Sequence, residues 1–257
     1  MPLPEHQFCD HMIAGLVALD DLKVWSVLVT IFGDLASEEE NFIPGTVLSK
    51  ISQPLGIKPA ALRVALHRLN KDGWITAEKF GRISHYSLTA EARHQTLNAH
   101  RQVYGPYPVA TDRLALITSS TPRDTLDPGR LAISKTTFIA LEDAPILSDE
   151  IQSFLPSRDL PHWVRSQIMP KKISGAYQAL KDVIAVAPPD TLKDLPALKA
   201  IVLRVMILHC WRRIVLRHDP VAFAILGPDW IGTVCNLSVQ GWLKRLPRRD
   251  PAALLDQ

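Results

Sequence analysis

FIPGTVLSKISQPLGIKPAALRVALHRLNKDGWITAEKFGRISHYSLT, residues Phe42 to Thr89, changes its hydrophobic period once. Up to Asp72 apolar residues recur three and four apart, and from Trp74 they alternate, which marks helices followed by strands. Phe42 to Ser52 reads as a short helix with Pro44 in its first turn and Val47, Leu48 and Ile51 inward. Gln53 to Ile57 break it. Lys58 to Asp72 reads as a longer helix with Leu62, Ala65, Leu66 and Leu69 on one face and Gly73 as its C-terminal cap. Trp74 to Phe80 and Ile83 to Leu88 alternate around a Gly81-Arg82 bend, as a hairpin does. Helix, tight break, helix and hairpin is the order of a winged helix-turn-helix, which presents its second helix to the major groove of DNA.

Working outward, Asp21 to Asp34 reads as a helix with Leu22, Trp25, Leu28, Val29 and Phe32 at helical spacing and Gly33 as its stop. An acidic loop, Ser37 to Asn41, follows. Thr89 opens another helix that runs to about Tyr104, with Glu91 one position short of a capping box. Gly105 to Pro108 reads as a linker. Arg113 to Ser119 is a predicted buried strand, and Gly129 to Leu141 holds one or two more. Helices are predicted over Ile146 to Phe154 and Ile173 to Val186. Pro188-Pro189 marks a second boundary, before a long helix from Leu195 to Arg217 and two shorter ones between Pro220 and Leu246. The expected fold class is α+β with three domains: 1–105 for DNA, 106–187 of mixed α and β, and 188–257 helical.

Composition excludes several classes. Of 257 residues, 47% are hydrophobic and 21% charged, a globular balance that rules out a disordered or fibrous chain. The most apolar stretch, Ala200 to Val215, is interrupted by Arg204, His209, Arg212 and Arg213, whereas a membrane span needs about 18 apolar residues. Met1 to His6 lacks the basic start of a secretory signal. Cys9, Cys210 and Cys235 are too far apart for a zinc knuckle and too few for a disulfide framework, which fits a cytoplasmic location. The net charge of +3 conceals a segregation. Residues 1–40 carry one Lys against eight acids, and residues 41–105 carry nine Lys or Arg against three acids. A block with that excess can present a polyanion-binding face.

At about 100° per residue, the face of the second helix opposite its apolar stripe holds Ala60, Arg63, Val64, His67 and Lys71, with Lys58 at its start. Arg63 can donate to guanine O6 and N7, and Lys71 suits phosphate. Arg68 lies on the flank, where a backbone contact and an intramolecular ion pair are both open. Lys79 and Arg82 bracket the hairpin tip, with Ser84 and His85 just after, and basic tips suit phosphate or a minor groove. Trp74 and Tyr86 read as hairpin packing.

Several of these residues carry a resemblance. Trp25 to Asp34, Leu55-Gly56-Ile57, Arg63 with Arg68-Leu69, Gly73-Trp74, and Gly81-Arg82 with Ser84, Tyr86 and Leu88-Thr89 resemble the PaaX family. Near the end of the chain, His209, Arg212-Arg213, His218-Asp219-Pro220, Pro228-Asp229-Trp230 and Gly232 resume the likeness. The family consists of bacterial repressors of phenylacetate and related aromatic catabolism. The resemblance implies a winged helix-turn-helix, a central ferredoxin-like (Cas2-like) domain and a helical C-terminal domain. It also implies a homodimer on a palindromic operator, released by an aryl-CoA or related acyl-CoA thioester. The sequence departs from the family at Ile83, where a second basic residue is common, and at Val221 to Phe223.

Residues His209, Arg212, Arg213 and Trp230 are candidate ligand contacts, since arginines suit anionic groups. The alternative is a core histidine with surface arginines, and Asp219 capping the next helix. His162 and Trp163, with Arg158, Arg165, Lys171 and Lys172, form a second cationic patch that could hold phosphates or stabilise a dimer, with a solvated face as the default reading. No metal site, no cofactor and no catalytic residue is expected. A Cas2-like nuclease would have only Asp112 near its central strand, and it needs more carboxylates to hold a metal. The function expected is a ligand-responsive transcriptional repressor. A nucleic-acid-processing enzyme and a ligand-free structural DNA-binding protein remain the alternatives.

Overall fold

The computed structural model describes residues 5–107, 110–185 and 195–255. Met1 to Pro4, Pro108 of the linker and Pro188-Pro189 lie outside the described residues. The chain is α+β. Its first part runs α1 (Glu5–Ala18), α2 (Val24–Leu35), β1 (Ile43–Pro44), α3 (Gly45–Ser52), α4 (Pro59–Lys71), β2 (Ile75–Phe80), β3 (Ile83–Leu88) and α5 (Ala90–Tyr104). The rest runs β4 (Arg113–Ser119), β5 (Arg130–Ala132), β6 (Thr137–Leu141), β7 (Glu150–Pro156), α6 (His162–Ile168), α7 (Lys171–Ile184), α8 (Ala197–Val215), α9 (Val221–Leu226) and α10 (Ile231–Arg245).

The segment that opened the sequence reading folds as helix, turn, helix and hairpin. A 3-10 turn at Gln53–Leu55 separates α3 from α4, and Gly56 takes a positive φ there. α4 buries Leu62, Ala65, Leu66 and Leu69, the predicted stripe. Gly73 (φ 72) and Gly81 (φ 62) end the helix and turn the hairpin in a backbone region that side chains with a Cβ rarely adopt. β2 and β3 pair from Ile75↔Leu88 to Phe80↔Ile83. Thr89 caps α5: its Oγ1 accepts from the Ala92 amide at 3.2 Å and donates to the Gly73 carbonyl at 2.7 Å. One side chain therefore fixes the hairpin's base to both neighbouring helices. Thr89→Ala is expected to cost about 1–2 kcal/mol in urea denaturation, while Thr89→Ser retains most of the stability.

Three expectations need correction, and one helix was missed. The helix predicted from Phe42 begins only at Gly45, because Ile43 and Pro44 pair with Tyr86 and His85 as a third strand beside β3. Gly33 does not stop α2, which continues to Leu35. The helix predicted over Ile146 to Phe154 is absent: Glu150–Pro156 is the edge strand β7, paired with β4 along its whole length. The α1 helix escaped prediction, although Phe8, Cys9, Met12, Ile13 and Leu16 pack at helical spacing into the core.

The second sheet is antiparallel in the order β5-β6-β4-β7. A ferredoxin-like domain would carry a helix in each of two crossovers. Here the β4–β5 and β6–β7 connections hold none, and the helices follow the last strand. One face of this sheet is covered by α6 and α9 through Leu114, Leu131, Ile139, Val164 and Ile225.

The main core belongs to α8. Residues Ala200 to Leu208 of this helix are buried without interruption, so it is covered on all sides. It packs against α1, α2, α5, α7 and α10. The N-terminal helices and the C-terminal helices thus share one hydrophobic cluster. Arg204, 5% exposed, is the charge inside it. Its Nε and Nη2 donate to Asp34 Oδ2 and Oδ1 at 2.7 and 2.9 Å, and its Nη1 donates to the Leu246 carbonyl at 2.6 Å. Tyr104 and Arg248 add donors to Asp34 at 2.9 and 3.2 Å. Burial raises the Tyr104 hydroxyl well above its usual range, so it stays a donor. Among the described residues no helix is long and apolar enough to cross a membrane.

Candidate nucleic-acid interface

α4 and the β2–β3 hairpin pack on one another, α4 through its buried stripe and β2 through Ile75. The outward surface of α4 carries Lys58, Ala60, Arg63, Val64, His67, Arg68 and Lys71, all exposed. Lys79 and Arg82 are exposed at the hairpin tip. Arg63, Lys71, Lys79 and Arg82 make no hydrogen bond or ion pair with other described residues. A cation without an internal partner on an exposed helix face is available to phosphate or a base edge. Small Ala60 and Ala61 beside Arg63 leave the start of α4 free of bulk.

Two residues of the predicted set are otherwise engaged. Arg68 pairs with Asp72 one turn on, at 3.5 Å, so the open alternative falls to the intramolecular pair. Both partners are well exposed, and such a pair is weak. His85 is held between the rings of Phe42 and Phe80, with centroids at 4.3 and 4.7 Å, and its Nδ1 is buried without a partner. It stiffens the hairpin rather than projecting from it. Ser84 is half-buried opposite Lys79. The Phe42–His85–Phe80 stack was hidden in the sequence because Phe42 comes from the segment before α3 and stands opposite β3 only through the unforeseen pairing of β1.

The predicted ligand contacts do not converge. His209 is 1% exposed, and its Nδ1 lies 3.2 Å from Thr30 Oγ1. Burial, reinforced by Arg212 and Arg213, lowers its pKa to about 3, which leaves it a neutral core histidine at neutral pH. Arg212 reaches α2, donating from Nε to Thr30 Oγ1 and from Nη2 to the Ser26 carbonyl and Oγ. Arg213 pairs with Asp20 at 2.6 Å. Trp230 stands apart in an aromatic cluster with Tyr177, His218 and Phe223. Asp219 accepts from the Val221 amide at 2.8 Å and the Gly129 amide at 2.7 Å, so it caps α9 and ties the β4–β5 connection to it.

In the middle of the chain, Arg165 of the second cationic patch donates to the Leu160, Ser157 and Leu226 carbonyls and is structural. The Asp112 carbonyl accepts from the Ser157 amide. Among the described residues no group of three His, Cys, Asp or Glu side chains stands close enough to hold a metal ion.

A helix-turn-helix segment continued by a hairpin, with unpartnered cations on the outer helix face and the hairpin tip, defines a candidate polyanion-binding module. Residues 23–92 match the family model described as PaaX-like protein. It is 23% identical to the Transcriptional repressor PaaX of Escherichia coli (strain K12), over 89% of this chain and 81% of that one. Among solved structures, the Uncharacterized protein Rv0674 from Mycobacterium tuberculosis matches with a TM-score of 0.47 and 12% identity, over 86% of this chain and 95% of that one.

Proposed function

We propose that the chain is a transcriptional repressor that binds operator DNA through a winged helix-turn-helix formed by α2 to β3, and that a small metabolite releases it. The observation that carries this reading is the set of unpartnered cations Arg63, Lys71, Lys79 and Arg82 on α4 and the hairpin tip. The similarity to a relative named as a transcriptional repressor supports it. In this reading α4 enters the major groove, Arg63 reads a base edge, and Lys58, His67 and Lys71 position the helix. Lys79, Arg82 and Ser84 follow the adjacent backbone.

The DNA-binding domain of the proposal is residues 1–105, with 106–187 and 188–257 as a sheet domain and a helical domain. The chain acts as a cytoplasmic homodimer, and a two-fold dimer places its half-sites about 34–36 Å apart or a multiple of that. The effector belongs to the acyl-CoA thioesters of a phenylacetate-like aromatic-acid pathway, as the family resemblance suggests. It must bind the released geometry more tightly than the DNA-bound one, since a ligand with equal affinity for both shifts nothing. The chain performs no catalysis in this reading.

A footprint on the DNA upstream of the chain's own gene tests it. Protection of two related half-sites is expected, and no protection or retardation of any upstream fragment would reject the repressor reading. Lys79→Ala and Arg82→Ala should each weaken binding to operator and random DNA alike. Each should also reduce the slope of log K against log salt by about one. Gel retardation at four salt concentrations measures both quantities.

A further inference from the structure

The outward face of α4 has an apolar centre among its cations. Val64 is 70% exposed there, while the helix buries Leu62, Leu66 and Leu69 on its other side. At about 100° per residue, Val64 has Ala60 one turn before it, His67 and Arg68 one turn after it, and Lys71 beyond them. It lies outside the hydrophobic cluster that the opposite face of the helix joins. Its side chain therefore gains little from folding, and a β-branched residue is a poorer helix former than alanine. The exposed Phe42 and Phe80 nearby have a structural use, since both stack on His85.

A helix held in the major groove by flanking cations presses the centre of its outer face against base edges. Those edges carry donors and acceptors at every base pair, and one apolar group, the C5 methyl of thymine. Against a donor or acceptor, Val64 would displace water and return no hydrogen bond, which weakens binding. Against the thymine methyl it strands nothing, and both apolar surfaces leave water. The branch at Cβ holds Val64 in one dominant rotamer within a helix, so its methyl groups have a fixed direction and little entropy is lost on contact. Ala60 and Ala61, both exposed one turn back, leave room for the close approach.

We propose that Val64 is a specificity-determining residue that recognises the C5 methyl group of a thymine, beside the base pair that Arg63 reads. The assignment rests on the reading of α4 as the major-groove helix and adds a base identity to it. Arg63 and Val64 are consecutive on the helix, so their contacts fall on the same or neighbouring steps of the duplex. Arg63 donates to a polar edge and Val64 selects a methyl group, and each operator half-site therefore carries a thymine beside the Arg63 pair.

The test uses the fragment protected in the footprint, with each thymine of a half-site replaced in turn by deoxyuridine. That change removes the methyl group and leaves every hydrogen-bonding atom of the base in place. Gel retardation with the full chain is expected to show a position, beside the pair at which Arg63→Ala relaxes preference, where affinity falls about fourfold, the weight of one buried methyl group. Val64→Ala should bind thymine and deoxyuridine equally at that position, with a thermal midpoint no lower than that of the unsubstituted chain. A half-site in which no thymine is sensitive overturns the assignment and leaves the repressor reading standing. So does a sensitive thymine remote from the Arg63 pair. A methyl effect that persists in Val64→Ala belongs to the stiffness of the duplex and likewise overturns it. Failure to retard any fragment overturns the repressor reading, and the assignment falls with it.

Discussion

Asp34→Ala is expected to lower stability by about 3–5 kcal/mol, the largest effect of any single substitution considered for this chain. The carboxylate is fully buried and accepts from Arg204 in a two-pronged pair, from Tyr104 and from Arg248. Removing it leaves Arg204 charged, 5% exposed and held only by the Leu243 and Leu246 carbonyls. The cost comes from that stranded charge more than from the lost attraction, because the desolvation of a buried pair offsets much of its Coulomb gain. Two measurements separate these contributions. The urea midpoint of Asp34→Ala should fall with little change in slope. Adding Arg204→Met to it should recover a large part of the loss, since the stranded charge goes too. Equal instability of the single and double variants would show that the pair itself, rather than the orphaned guanidinium, matters most.

Arg63→Ala is expected to cost about 1–3 kcal/mol of operator affinity and to relax sequence preference at one base pair. The residue is exposed on the outer face of α4, has no internal partner, and follows two alanines that let the helix approach closely. Its proposed role differs in kind from that proposed for Lys79 and Arg82. A contact to phosphate weakens every sequence equally, whereas a contact to a base edge weakens the operator selectively. Competition between operator and random fragments at fixed salt reads the difference. Equal loss on both would remove Arg63 from base recognition and assign it to the backbone.

The helix-turn-helix and hairpin segment was legible because its signals are local. The stripe Leu62, Ala65, Leu66 and Leu69 repeats at helical spacing, and glycines at 73 and 81 stand where the backbone requires positive φ. Long-range pairing was not legible. Ile43–Pro44 is too short for any period to register and is a strand only because β3 lies beside it. Ile146, Leu147, Ile151 and Phe154 mimic a helical stripe, yet all four are exposed, and pairing with β4 decides the conformation of Glu150–Pro156. The candidate site divides in the same way. The exposed cations follow from helical geometry, but the engagement of His85 by Phe42 and Phe80 depends on residues that meet only after folding. The motif around His209 and Arg212 was visible as a cluster. A core histidine was among its open readings, but the clamp of Arg212 on α2 was not, because Ser26 and Thr30 lie far away in the chain.

The segment Pro251–Leu254 packs on α3 and β1, and Lys50 Nζ donates to the Leu254 carbonyl at 2.6 Å. During synthesis, a ribosome makes the proposed operator-reading head well before it makes this brace. Until Pro251–Leu254 has been made, the nascent head therefore lacks this support on α3 and β1.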